Sequence, residues 1–339
     1  MIPATHPRTV REQARMLIID RKKNRFSDST IAELPQALHP GDLLVVNDAA
    51  TLPASLTAKS SNGASVEIRL IGQIGKSDWK AVLMGEGTWR IPTELRDLPE
   101  SVGLGSRLDI SREFSAEIVE ISAESCRLVT LRFSKRGAAM WSGIYAYGRP
   151  IQYSYLSEDL PLWSVQTAYA SRPWAVEMPS AGYPLAWKTL LELKRRGIRV
   201  AKLTHAAGLS SAGDDRLDAL LPLPEHFEIP PETVEAVARA RRSGGRVIAV
   251  GTTVVRALEG SRTFNGCLAA GEGYTDLVID RSFEPQIVDG LLTGMHDPAQ
   301  SHFRLLRAFA DENLLRGSWR HAAAAGYMCH EFGDVCLIL

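Results

Sequence analysis

The apolar run Val247-Ile248-Ala249-Val250 leads directly into Gly251-Thr252-Thr253, and Arg256 and Glu259 follow at helical spacing. Apolar residues bounded by glycines read as a strand buried on both faces. Gly251 lets the chain turn, and Thr252 or Thr253 is placed to cap the helix that follows. The result is a helix N-terminus with outward N–H groups, two hydroxyls, a cation and a carboxylate, a place to hold a polar small molecule. An ordinary strand-to-helix connection, with a threonine cap and a surface ion pair between Arg256 and Glu259, explains the same residues. Other apolar runs end in groups that move protons or bind ligands. Asn47-Asp48 follow Leu43 to Val46, His205 follows Ile198 to Thr204, and His296 follows Leu291 to Met295. A histidine at a strand end is a candidate base, because its ordinary pKa lies near neutrality. An Asx turn at Asn47-Asp48 and a structural histidine at 205 are the alternatives.

Positioning these groups requires strands whose carboxyl ends share one side of a sheet. Arg15 to Asp20, Leu43 to Val46, Ile198 to Leu203, Arg246 to Val250 and the apolar tail after Asp334 all read as strands. Helices are expected from Pro184 to Arg196, with Trp187, Leu190 and Leu191 inward, and from Pro231 through Val234 and Val237; another spans Ser301 to Phe309. Repeated helix-to-strand units argue for a mostly parallel sheet. Between Thr57 and Gly148 the texture changes to short alternating strands, such as Val66 to Leu70 and Arg127 to Phe133, separated by Gly, Ser and Asp. With no convincing helix among them, they predict a small antiparallel β-barrel inserted into the α/β domain. The expected division is 1–56 with 150–339 for the α/β domain, which holds the candidate ligand residues, and 57–149 for the barrel. Tyr145, Tyr147, Tyr153, Tyr155 and Trp163 then read as a packing seam between the two.

Lysine plus arginine equals aspartate plus glutamate at 39 each in 339 residues, so no global basic charge announces nucleic acid. Cys126, Cys267, Cys329 and Cys336 have no C-x-x-C spacing. They read as reduced thiols of a cytoplasmic protein, and no metal site is expected. No apolar run approaches the roughly 20 residues of a membrane span, and the N-terminus lacks a signal-peptide core. The pattern leaves the oligomeric state open.

Several blocks resemble one family, the S-adenosylmethionine:tRNA ribosyltransferase-isomerases of queuosine synthesis. Arg246 to Glu259 is similar to that family's R-V-I-A-V-G-T-T-S-V-R-x-L-E, with Val254 in place of serine. Pro40 to Asp48 resembles P-G-D-L-L-V-x-N-D, Gln166 to Ala170 resembles Q-T-V-Y-A, Ser180 to Gly182 resembles T-A-G, and Phe332 to Asp334 resembles Y-G-D. The blocks keep family order over nearly the whole chain. The resemblance implies an α/β domain interrupted by a β-barrel. It also implies a reaction in which S-adenosylmethionine gives its ribosyl unit to an amine on a 7-deazaguanine base of tRNA, without a metal. Thr252, Thr253, Arg256, Glu259, Asn47, Ser180, Gly182, Gln166 and Tyr169 are then expected around S-adenosylmethionine, with His296, His205 and Asp48 as catalytic residues.

The departures fall on arginines and histidines. Ala50, Ser55 and Pro184 stand where the family has two arginines and a histidine, and the family's H-x-M-H-x-E is reduced to the neighbourhood of Leu223 to Glu228. Such groups grip phosphates and acceptor. The sequence therefore leaves tRNA and a small molecule open as acceptors, and an inactive adenine-nucleoside-binding homologue stands as the alternative to an enzyme.

Overall fold

The computed structural model describes residues 1–100, 102–298 and 301–339. Among the described residues, nine strands form the larger sheet: β1 (Arg15–Asp20), β2 (Arg25–Thr30), β3 (Leu43–Asn47), β4 (Arg199–His205), β5 (Glu225–Ile229), β6 (Val247–Val250), β7 (Gly271–Thr275), β8 (Gly290–Gly294) and β9 (Val335–Ile338). Their order across the sheet is β7-β5-β4-β3-β6-β8-β9-β1-β2. The centre, β4-β3-β6-β8, is parallel. β5 and β7 on one side and β9 on the other run antiparallel to their inner neighbours. Every residue of β3, β6 and β9 is buried, and burial on two faces is why these runs are uniformly apolar rather than alternating.

Between the halves of this sheet the chain builds a second one. Ser55–Lys59, Ser65–Gln73, Asp78–Met84, Leu128–Phe133, Ser115–Ile121 and Arg107–Asp109 pair antiparallel in that spatial order. The pairing of Lys59 with Asp109 closes them into a barrel. Leu56, Ile68, Leu70, Ala81 and Leu131 fill its interior. The barrel also buries an ionic group, with Glu67 accepting from Arg69 Nε at 2.9 Å and from Arg96 Nη1 at 2.6 Å. Its first strand starts at Ser55, two residues before the expected edge.

The expectation of no helix in this segment is corrected by α1 (Gly137–Tyr147). Two glycines and nearly continuous small or apolar residues gave it no polar face to recognise. Gly143 lets α1 lie against Phe114, whose ring is 2.9 Å from where a Cβ would sit. Tyr145 and Tyr147 therefore belong to a half-exposed helix, whereas Tyr153 lies in the seam against the barrel core.

Helices cover both faces of the larger sheet. α2 (Trp187–Arg195) packs Leu190 and Leu193 against Leu44, Val46, Ile248 and Val250. α3 (Pro231–Arg242), α4 (Thr252–Asn265) and α5 (Glu312–Ala324) pack on the other face around Val45, Ala249 and Leu291. α2 starts three residues later than expected, and Trp187 and Leu191 point to solvent at 61% and 52% exposure, so its buried stripe is Thr189, Leu190 and Leu193.

Candidate active site at the carboxyl ends of the parallel strands

β6 ends in Gly251, whose φ of 90° is costly for any residue with a Cβ. Gly251 is also the N-cap of α4, and no side chain caps the helix. This corrects the assignment of Thr252 or Thr253 as a cap, because both already stand in the first turn. The leading N–H groups of α4 thus have no side-chain acceptor, and a helix start in that state favours an anion. Thr253 Oγ1 accepts from Asn47 Nδ2 at 3.3 Å. Asn47 also donates to the His205 carbonyl at 2.9 Å and accepts from the His205 N–H at 2.9 Å and the Ala49 N–H at 3.1 Å. All polar atoms of this buried amide are engaged, so Asn47 ties the ends of β3 and β4 to the start of α4.

His205 is fully buried, and neither ring nitrogen has a hydrogen-bond partner. Burial, then the nearby Arg256 charge, drives its pKa well below the ordinary 6.5. Its Nε2 lies 3.5 Å from Glu225 Oε2. Glu225 also pairs with Arg256 Nη1, and Arg256 donates to the carbonyls of Leu277 at 3.0 Å and Thr275 at 3.3 Å. Burial lowers the Arg256 pKa to about 10. The anticipated Arg256–Glu259 pair is corrected accordingly. Glu259 is fully buried and accepts the N–H groups of Gln286, Ile287 and Val288, holding the approach to β8.

His296 stands two residues beyond β8. Its Nε2 is 2.9 Å from Thr293 Oγ1, and its ring stacks on His302 with centroids 5.0 Å apart. Burial first, then the charges of His302 and His330, lowers its pKa to about 3. The Arg256 charge also depresses His302, so Arg256 lies within electrostatic reach of both His205 and His302. The ordinary pKa of histidine therefore does not hold at His205, where full burial beside Arg256 favours the neutral ring. His330 in turn stacks on Tyr155 at 4.1 Å, and the Tyr155 hydroxyl donates to Glu331. Desolvation raises the Glu331 carboxyl to about 7, and Glu331 shares a small cavity lining with Glu177.

The remaining candidates ring this centre. Asp48 accepts from Thr204 Oγ1 at 2.6 Å, Ser171 Oγ at 2.8 Å and Lys202 Nζ at 2.9 Å. Its charge, after burial, raises the Tyr169 hydroxyl pKa. A Cβ on Gly182 would overlap that hydroxyl, and a Cβ on Gly251 would sit 3.4 Å from Ala181, so the Ser180–Gly182 turn bridges Tyr169 and the start of α4. Gln166 clamps the Thr51 backbone from both sides, with Oε1 and Nε2 each at 2.9 Å. The structure thus links Asn47 to Thr253 and His205, and His205 through Glu225 to Arg256. It leaves Thr252 in the same helical turn as Thr253, and His296 against Thr293 and His302. It sets Asp48, Tyr169, Ser180 and Gly182 beside them, and places the Gln166 and Glu259 carboxamide and carboxylate on backbone instead. Sequence reasoning missed Glu225, His302, Glu177 and Glu331. Only Glu225 left a signal, the alternation Glu225-His226-Phe227-Glu228-Ile229 that makes it the inward end of a strand. Among the described residues, no group of three or more His, Cys, Asp or Glu could hold a metal ion.

Residues 1–338 match the family described as queuosine biosynthesis protein. The S-adenosylmethionine:tRNA ribosyltransferase-isomerase of Heliobacterium modesticaldum is 32% identical over 99% of this chain and 96% of its own. The protein of that name from Thermus thermophilus is 33% identical over 97% and 93%. A crystal structure of S-adenosylmethionine tRNA ribosyltransferase from Thermotoga maritima superposes with a TM-score of 0.54 at 27% identity, covering 100% of this chain and 96% of that one.

Proposed function

Because this chain belongs to the queuosine biosynthesis protein family, we propose that it is an enzyme that transfers the ribosyl part of S-adenosylmethionine to a 7-deazaguanine base of tRNA, releasing methionine and adenine. The relatives' names carry tRNA as the acceptor, and none of those described supports the small-molecule acceptor or the inactive nucleoside binder. The observation that carries the reading is the uncapped N-terminus of α4, tied through Asn47 to the ends of β3 and β4.

The residues present suit the nucleoside. The free N–H groups of α4, with the Thr252 and Thr253 hydroxyls, suit its carboxylate or ribose. The sulfonium supplies the acidity of the adjacent 5′ carbon. His296, held by Thr293, accepts the proton, and His205 is the second candidate. Arg256 and Glu225, locked to each other, border the His205 ring, with the Glu225 carboxylate 3.5 Å from its Nε2. The loss of arginines at Ala50 and Ser55 supports a changed grip on the acceptor. Two units, 57–149 and 1–56 with 150–339, are the division we favour, supported by closure of the barrel within the insert.

Incubation with S-adenosylmethionine and tRNA bearing the deazaguanine base, followed by mass spectrometry, is expected to give adenine and methionine in equal amounts. His296→Ala should lower that turnover about 10²-fold with S-adenosylmethionine affinity, read by calorimetry, little changed. No adenine release from the wild-type protein would refute the function; equal turnover in His296→Ala and His205→Ala would refute the assignment of the base.

A further inference from the structure

We infer that Trp174, His226 and Tyr274 form a stacking platform for an unpaired nucleobase of the acceptor RNA, an inference that rests on the tRNA reading above. The three rings lie in series. Trp174 and His226 have centroids 4.5 Å apart at 24°, and His226 and Tyr274 follow at 4.9 Å and 30°. Register produces the second contact, because His226 on β5 stands directly opposite Tyr274 on β7. The Arg172 guanidinium lies 5.5 Å from the Trp174 ring at the inner end.

The ladder lies on the α2 face of the sheet, but at β5 and β7, beyond the β3 and β6 residues that α2 covers. Glu225, Phe227 and Ile229 are the buried residues of β5, so His226 and Glu228 project to the opposite face. There Val200 is 40% exposed, the Lys202 side chain 62% and Tyr274 65%. Three rings therefore hold one another in place while the last keeps an open face at the sheet edge.

An open aromatic face on a rigid sheet is how proteins take up splayed bases of single-stranded RNA, whereas paired RNA hides its faces. The charges beside it favour a base over a phosphate. Glu272, 63% exposed and 3.3 Å from His226, repels phosphate and accepts N–H groups from a base edge. Lys202 stands on the same face but is paired with Asp48 at 2.9 Å, so it adds no free cation for a phosphate. The ladder lies on the face of the sheet opposite Glu225, Arg256 and His205, and meets the candidate site at Asp48, which Thr204 and Lys202 of that same face contact.

The test uses the full-length protein with bulk tRNA, comparing wild type, Tyr274→Ala and Tyr274→Phe. Tyr274→Ala is expected to raise the Kd for tRNA about 10-fold or more, and Tyr274→Phe to leave it within about twofold, since the ring face is what stacks. S-adenosylmethionine affinity should be the same in all three. Wild-type tRNA binding with an unaffected Tyr274→Ala would overturn the platform and leave the tRNA reading standing. If that variant instead loses self-association in sedimentation, the ladder is a contact between copies and the proposal fails. A wild-type protein that bound no tRNA would overturn both.

Discussion

His205 shows how position changes a residue's chemistry. In water an imidazole takes a proton near pH 6.5, but here the ring has no solvent and stands beside Arg256, so the neutral form is favoured. The sign for stability follows. As pH falls below about 6.5 the unfolded chain binds a proton that the folded one refuses, so this contribution is present above that pH and lost below it. One such group changes stability by about 1.4 kcal/mol per pH unit. Glu331 acts in the opposite direction. Its carboxyl is raised from 4.5 to about 7, so its contribution is present below pH 4.5 and lost as pH rises towards 7. Because the two oppose each other between pH 5 and 7, the wild-type profile alone does not separate them. His205→Gln should flatten the acid-side fall in urea-unfolding stability, and a slope equal to that of wild type would show that His205 titrates normally.

At the scale of elements, the site depends on close approach more than on side-chain ligands. The turn at Ser180–Gly182 meets the Tyr169 hydroxyl where Gly182 has no Cβ, and Ala181 meets Gly251 at the start of α4. Overpacking such a contact costs about 1–3 kcal/mol. Gly182→Ala should therefore lower the unfolding free energy by about that amount, and adding Tyr169→Phe should recover most of it by vacating the hydroxyl's space. Denaturant titration of the two single variants and the double gives the coupling; additive losses would mean the two residues do not press on each other.

For the whole molecule, charge balance bears on how tRNA is held. With 39 basic and 39 acidic side chains, the chain has no excess of cations to meet phosphates. Several of those near the site are already paired, Arg172 with Glu228, Lys202 with Asp48 and Arg256 with Glu225. Each neutralised phosphate adds about 0.7 to 0.9 to the slope of log affinity against log salt. We therefore expect tRNA binding to be weak, with a slope no steeper than about −3. Anisotropy titrations between low and physiological salt measure it directly, and tight binding with a steep slope would show an arginine grip rebuilt elsewhere.

The strands of the central sheet were legible because burial on both faces forces uninterrupted apolar runs, and Leu43 to Val46 and Val247 to Val250 do lie side by side in parallel register. The barrel was legible because its strands have one wet and one dry face and so alternate. α1 was not, since a helix wedged against a barrel carries no polar stripe. The sequence also placed histidines and hydroxyls at strand ends, which parallel pairing carries to one side of the sheet. It could not say which charge meets which. Arg256 and Glu259 are near in sequence, yet the helix turns Arg256 towards Glu225, more than thirty residues earlier in the chain, and Glu259 towards backbone N–H groups. Nor could it foresee that His205 would be stripped of water and kept neutral. Residue types and local periodicity are written along the chain, whereas partners, burial and the pKa values that follow from them exist only once distant segments pack.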